Sequence, residues 1–187
     1  QSLLHVGFDV LDVGSFVSKR SIPQMKDSRK VLESLDLSST TSKLLYIVAN
    51  LRGALEACVY PEIDFLGFPF SVSENFQMRN TNKTINQSLE ELKKIISVCK
   101  SNDKEVVVYL SMGFGNPYGD EWNYEVLEKW ISVIKSIGVK TISISDTIGV
   151  ANPKNIDIVF KNSIKKFHDI EFGAHFHTKP SDWFEKI

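Results

Sequence analysis

The stretch VKTISISDTIGVANPKNIDIVFKNSIKKFHDIEFGAHFH, residues 139–177, decides the fold of this chain. Residues 141–145 and 170–175 are short apolar runs bounded by polar residues, which is typical of strands. Asn152 and Pro153 lie between them and mark the start of a helix, since Asn is a favoured N-cap and Pro suits the first helical turn. A strand, a helix and a second strand in this order predict a βαβ unit with parallel strands.

The same alternation extends to both sides of this stretch. Further strand candidates are residues 6–13, 44–49, 63–68 and 105–111, and helical periodicity covers 88–99, 124–137 and the start of a helix at 180–185. Six strands at intervals of roughly 30 residues predict a parallel α/β fold. A (β/α)8 TIM barrel typically needs about 250 residues. We therefore expect a single, partial barrel domain over residues 1–187 that covers about strands 2 to 7.

Composition excludes several classes of protein. The 22 Lys and Arg residues balance 23 Asp and Glu residues, which argues against a nucleic-acid binder or a membrane-surface protein. No apolar run approaches the roughly 20 residues of a membrane-spanning helix. Two distant cysteines and no signal-peptide pattern favour a cytoplasmic protein. Neither a Gly-x-Gly-x-x-Gly motif nor a P-loop motif is present, which counts against a nucleotide-binding doubly wound fold.

Polar residues follow nearly every predicted strand. They are Asp12 with Ser15, Asn50 with Arg52, Ser71 to Asn75, Ser111 with Asn116, Asp146 with Thr147, and His175 with His177. Strand ends face solvent, so one such residue alone carries little weight. Because barrel enzymes build their active sites at the carboxyl ends of the strands, the recurrence predicts a functional site there.

The sharpest signal is His175-Phe176-His177. Residues two apart on a strand point to the same face, with Cα atoms about 6–7 Å apart. Two imidazoles at that separation suit one divalent metal ion. The alternative is a pair of hydrogen-bonded histidines without metal; the position at a strand end, amid other polar residues, favours the metal.

Other features of the strand ends allow two interpretations. Asp146 is either a base, metal ligand or hydrogen-bond anchor, or a carboxylate that caps the following helix. Asp12 has the same ambiguity, because it also fits an outward position on its strand. The glycine-rich loop of residues 113–119 either admits a ligand close to the backbone or is a plain turn.

Four segments resemble motifs of the hydroxymethylglutaryl-CoA lyases. They are DVGSFVS (12–18) with IPQM (22–25), YLSMGFGNPY (109–118), SDTIGV (145–150) and GAHFHT (173–178). The resemblance implies a TIM barrel, a divalent metal, usually Mg²⁺ or Mn²⁺, and an acyl-CoA substrate. The implied reaction cleaves 3-hydroxy-3-methylglutaryl-CoA to acetyl-CoA and acetoacetate, a step of leucine degradation and ketone-body formation. A homodimer is also suggested.

Position by position, His175 and His177 match the metal-ligand histidines of that family, and Asp146 matches its catalytic aspartate. Asp12, a second catalytic candidate, stands where the lyases usually have a glutamate. Candidate substrate-binding residues are Asn50, Ser111, Asn116 and Thr147. Three departures stand out: Asp12 is one methylene shorter than Glu, Asn116 replaces a cysteine, and Thr178 stands where many members have Asp.

The family's first-strand Arg-Asp motif would precede Gln1, and its catalytic cysteine loop and last metal-ligand Asn would follow Ile187. Cys58 and Cys99 lie in helical stretches outside that loop and do not match the catalytic cysteine. We therefore expect a piece of a longer lyase. The alternatives are a related Claisen-type synthase or aldolase-like lyase, and a non-catalytic barrel remnant that binds a ligand or partner.

Overall fold

The computed structural model describes residues 1–181 and 183–186. The strands are β1 (Val10–Ser15), β2 (Lys43–Ile47), β3 (Ile63–Ser71), β4 (Glu105–Ser111), β5 (Thr141–Asp146) and β6 (Glu171–Phe176). The helices are α1 (Ser28–Glu33), α2 (Leu51–Cys58), α3 (Glu74–Thr81), α4 (Ile85–Lys100), α5 (Tyr124–Ser136), α6 (Pro153–Lys166) and α7 (Trp183–Lys186).

The six strands form one sheet in chain order, β1-β2-β3-β4-β5-β6, with parallel pairing. Strands that follow one another in both sequence and space, with helices between them, are the topology of a (β/α)8 barrel. The prediction of a partial TIM barrel is thus confirmed.

The chain divides into two compact units. The first comprises residues 1–68 and 91–106, and the second comprises residues 69–90 and 107–187. The pairings of β1 with β2 and of β2 with β3 belong to the first, and those of β4 with β5 and of β5 with β6 belong to the second. That residues 1–187 form one domain stays a prediction.

In the first unit, β2 supplies the centre of the core: Leu44, Leu45 and Tyr46 are all buried. The next helix, α2, begins because the side chain of Asn50 accepts a hydrogen bond from the backbone N–H of Gly53 at 2.9 Å. Asn is among the best residues for this N-cap role. Gly53 itself is buried, and its Cα lies against the backbone carbonyl of Phe16 just after β1.

In the second unit, two asparagines start the helices that follow β4 and β5. Asn123 caps α5 through the N–H of Val126, and Asn152 forms a reciprocal capping box with Asn155 at the start of α6. Helix α5 buries its apolar stripe completely, through Leu127, Ile131 and Ile134. These caps determine the residues at which α5 and α6 begin.

Some predicted boundaries are wrong. The strand expected over 6–13 begins only at Val10, since Ser2–His5 form a 3-10 helix and Gly7 adopts a left-handed φ of +88° that a strand does not accommodate. The helix expected from 180 begins at Trp183. The sequence pattern missed α1, α2 and α3, because each has at most eight residues and is shorter than the window of about 11–18 residues that periodicity arguments need.

We predict that Gly53→Ala destabilises the protein by about 1–3 kcal/mol, the usual cost of overpacking. The added Cβ would lie 2.5 Å from the carbonyl oxygen of Phe16. At an open helical site the same change would stabilise by about 0.5–1 kcal/mol. Chemical denaturation of the full chain measures the sign of the change in the free energy of unfolding. Leu55→Ala, at an exposed position of α2, is the control. A gain in stability for Gly53→Ala would contradict this packing.

Candidate functional site

The two histidines lie side by side at the end of β6. Their ring centroids are 5.4 Å apart, as the spacing of two residues predicts. The ring of Tyr109 on β4 meets His175 edge to face at 5.6 Å and fixes one side of the pair. Both imidazoles are therefore held close enough to bind one ion together.

The surroundings of His175 favour its neutral ring. Partial desolvation of its ring, reinforced by the neighbouring His177, lowers the pKa of His175 below that of an ordinary histidine. Neutral imidazole is the form that coordinates metals. The donor chemistry of the two histidines thus fits a metal ion. Among residues 1–181 and 183–186, however, no group of three or more His, Cys, Asp or Glu side chains is placed to hold one.

Asp146 ends β5 and is almost completely buried. Its Oδ1 accepts a hydrogen bond from the N–H of Val150 at 2.7 Å, while Gly149 N–H donates to its backbone carbonyl at 3.2 Å. The carboxylate therefore closes the turn after β5. It does not cap the next helix, a role that belongs to Asn152.

The second oxygen of Asp146 contacts Lys186, a residue that sequence reasoning did not select. Lys186 Nζ lies 3.1 Å from Asp146 Oδ2, and the two side chains are 4% and 0% exposed. The same ammonium donates to the backbone carbonyl of His177 at 3.1 Å and to that of Gly149 at 3.3 Å. All three donors of the ammonium are used, as a buried lysine requires. Lys186 thus joins the ends of β5 and β6.

Thr147 and Ser111 lie in the neighbouring loops. The hydroxyl oxygen of Thr147 accepts a hydrogen bond from Met112 N–H at 2.8 Å, and Gly113 N–H donates to the carbonyl of Ser145 at 3.0 Å. Ser111 is buried at the end of β4, and its carbonyl accepts a hydrogen bond from Val72 N–H. Ser111 and Thr147, both predicted to bind substrate, therefore lie beside the hydrogen bonds that hold the loops after β4 and β5.

Asn116 is used by its own loop. Its Nδ2 donates to the carbonyl of Asp120 at 2.9 Å, and its Oδ1 accepts from the N–H groups of Tyr118 and Asp120. The carboxylate of Asp120 in turn accepts hydrogen bonds from Ser73 and Asn75, and these bonds lower the pKa of Asp120. This network supports the turn interpretation of residues 113–119, since it closes the loop without a ligand.

The remaining candidates, Asp12 and Asn50, belong to the first unit. Asn50 commits its Oδ1 to the cap of α2. Asp12 is exposed on β1, beside an irregularity in the pairing with β2 between Asp12 and Gly14.

Neither cysteine resembles an activated nucleophile. Burial raises the pKa of Cys99 to about 12 and also raises that of Cys58. A raised pKa keeps a thiol protonated and unreactive, which agrees with the interpretation that neither replaces a catalytic cysteine.

Within the described residues, no helix is both long and apolar enough to cross a membrane.

Comparison with known proteins identifies the family. The model of the HMGL-like family matches residues 1–181. The chain belongs to the HMGL-like family. It is 28% identical over 177 residues to a hydroxymethylglutaryl-CoA lyase of Bacillus subtilis, and 27% identical over 175 residues to the cytoplasmic 3-hydroxy-3-methylglutaryl-CoA lyase of Mus musculus. These alignments cover 94% of this chain but only 58% and 50% of the two relatives.

Solved structures agree with the family assignment. The crystal structure of the HMG-CoA lyase of Bacillus subtilis superposes with a TM-score of 0.90 at 26% identity, over 98% of this chain and 61% of that one. The HMGL-like chain spans roughly half to three-fifths of the length of these relatives. The relatives are named as hydroxymethylglutaryl-CoA lyases, and the four motif segments lie within the matched region.

We predict that Lys186→Met lowers the free energy of unfolding by about 3–5 kcal/mol, because it leaves a buried carboxylate without its cation. Adding Asp146→Asn should recover about 1–3 kcal/mol of that loss, since the two residues are coupled. The amide oxygen of Asn would still accept the hydrogen bond from Val150 N–H.

Denaturant titration of the two variants and of a control, Lys154→Met at an exposed position of α6, measures these differences. If the Lys186 and Lys154 variants were equally stable, the buried ion pair would be disproved.

Proposed function

We propose that the protein carrying this chain is a metal-dependent lyase that cleaves 3-hydroxy-3-methylglutaryl-CoA to acetyl-CoA and acetoacetate. The observation that carries the proposal is the arrangement at the ends of β5 and β6. The paired rings of His175 and His177 are tied, through Lys186 and the carbonyl of His177, to the buried carboxylate of Asp146. The HMGL-like family match over residues 1–181 includes all of these residues except Lys186.

In this proposal His175 and His177 provide two ligands of a divalent ion, Mg²⁺ or Mn²⁺. When bound, such an ion supplies Lewis-acid stabilisation of an alkoxide and lowers the pKa of a coordinated hydroxyl. The lowered pKa of His175, which favours its neutral ring, and the 5.4 Å separation of the two ring centroids support this role.

Asp146 is the proposed proton acceptor. The reaction removes the proton of the C3 hydroxyl, forms the C3 carbonyl of acetoacetate and breaks the C2–C3 bond, so that the electron pair of this bond becomes the enolate of acetyl-CoA. One proton is then returned to the enolate at C2, which gives acetyl-CoA and balances the proton taken from the hydroxyl. Asp146 takes or relays the hydroxyl proton. A correctly placed base typically raises the reaction rate by about 10²–10⁴-fold. Its contacts with Val150 and Lys186 hold the carboxylate in a fixed orientation.

The other candidate residues have supporting roles. We place Ser111, Thr147, Asn116 and Asn50 at the substrate as hydrogen-bonding residues, and Asp12 as a carboxylate that braces the site. Because Asn116 and the Oδ1 of Asn50 are committed to backbone groups, we expect these two to act chiefly by shaping their loops. We also propose a cytoplasmic location, as for the relative named from mouse, a place in leucine breakdown, and a homodimer.

We predict that the double variant His175→Ala, His177→Ala loses bound divalent metal. We also expect the rate of cleavage to fall by at least about 10³-fold, as the loss of several kcal/mol of charge stabilisation implies. Metal analysis of the purified protein and an assay for acetoacetate from the CoA thioester measure the two effects.

The control is His168→Ala, which removes an exposed histidine outside the site and should change neither quantity. Full metal content in the double variant would contradict the ligand assignment. Condensation of acetyl-CoA with a 2-oxo acid, without cleavage, would favour the related Claisen-type synthases. Absence of both reactions, with ligand binding unchanged in the double variant, would favour a non-catalytic barrel.

A further inference from the structure

The backbone of Met112, the residue directly after β4, adopts the left-handed conformation with a φ of +59°. Within residues 1–181 and 183–186, only two other residues besides glycines do so, Asn82 and Asp103. Both of these are exposed, and Asn and Asp adopt this conformation more readily than other residues. Met112, in contrast, is only 1% exposed. A buried methionine in this conformation is strained, and such strain persists only where the surrounding structure enforces it.

Two consecutive backbone hydrogen bonds enforce this conformation. The N–H of Met112 donates to the hydroxyl oxygen of Thr147 at 2.8 Å, and the N–H of Gly113 donates to the carbonyl of Ser145 at 3.0 Å. In a regular strand, consecutive N–H groups point to opposite neighbouring strands. The left-handed turn at Met112 directs both of them to the end of β5 instead.

Gly113 shows how closely the chain after β4 approaches β5. A Cβ atom at this position would lie 2.5 Å from Cγ2 of Ile144, a fully buried residue of β5. That distance is well inside van der Waals contact, so no side chain fits between the two segments. The main chain itself makes the contact, as glycine permits.

The two acceptors, Ser145 and Thr147, are the residues on either side of Asp146. The main chain around the proposed proton acceptor is therefore held from both sides by the N–H groups of Met112 and Gly113. We infer that Met112 is a positioning residue for Asp146, an inference that rests on the proposed function. Its left-handed backbone acts through Asp146, because it fixes where the carboxylate stands at the strand ends.

Two variants with side chains of similar size test this inference. Met112→Leu stays unbranched at Cβ, whereas Met112→Ile introduces a β-branched side chain, for which the left-handed backbone is strongly unfavourable. We expect Met112→Ile to lower kcat for cleavage of the CoA thioester by at least about tenfold, because a slightly misplaced base loses rate steeply. KM should change by less than about twofold, since the substrate contacts remain. Met112→Leu is the matched control and should keep kcat within about threefold.

Amide hydrogen exchange of the full chain gives a readout that does not require activity. The N–H of Val150 reports on Asp146, because it donates to Asp146 Oδ1 at 2.7 Å. We expect the amides of Met112 and Val150 to exchange at least about tenfold faster in Met112→Ile than in Met112→Leu. The amides of β2, in the first unit, are the internal control and should exchange at equal rates in both variants.

A second pair of variants tests the same contact if Met112→Ile does not fold. Thr147→Val removes the acceptor of the Met112 N–H at constant shape, and Thr147→Ser keeps a hydroxyl there. We expect the Val150 amide to exchange at least about tenfold faster in Thr147→Val than in Thr147→Ser, because the Val variant leaves a buried N–H without a partner.

The outcomes separate this inference from the lyase proposal. Equal kcat in the two Met112 variants, or a rise in KM at unchanged kcat, would overturn the inference. Equal exchange of the Val150 amide within either pair of variants would overturn it too. Faster exchange throughout the chain, β2 included, would show a merely structural role and would also overturn it. Local acceleration in a protein whose wild type does not cleave the thioester would retain the effect of Met112 on Asp146 and reject the proposed reaction.

Discussion

The buried ion pair between Lys186 and Asp146 sets the arrangement at the ends of β5 and β6. Two charges removed from water cost several kcal/mol unless every polar atom finds a partner. Here the ammonium has three acceptors, Asp146 Oδ2 and the carbonyls of Gly149 and His177, and the carboxylate also accepts from Val150 N–H. Each of these bonds fixes a different segment. The same hydrogen bonds therefore determine both the orientation of the Asp146 carboxylate and the path of the chain beyond β6.

The fold and the orientation of the histidine pair could be predicted from the sequence because both follow from periodic rules. Alternating strands and helices predict a parallel sheet, and a spacing of two residues on a strand predicts that His175 and His177 share a face. The start of α6 at Asn152-Pro153 was also predictable, since N-cap chemistry is local. In each case the determining residues are close together in the sequence.

Lys186 could not be predicted in the same way. It lies 40 residues from Asp146, on a helix of four residues with no periodicity of its own, and a lysine near a helix end is ordinary. The contact depends on how α7 returns to the end of β5, which is a tertiary property. The start of β1 was misplaced for a related reason, because the left-handed Gly7 interrupts an otherwise apolar run.

The polar residues at the strand ends show why a motif predicts a position better than a role. A side chain that follows a strand can bind a ligand or satisfy the backbone of the turn, and the sequence is the same in both cases. Both the nitrogen and the oxygen of the Asn116 side-chain amide form hydrogen bonds within its own loop, and the hydroxyl of Thr147 accepts one from Met112 N–H. Asp146 differs, because a carboxylate has about four acceptor positions, and its hydrogen bonds with Val150 N–H and Lys186 Nζ leave capacity for a substrate proton. These hydrogen bonds agree with the proposal that Asp146 handles a proton, and they show that Asn116 and Thr147 also shape the loops beside it.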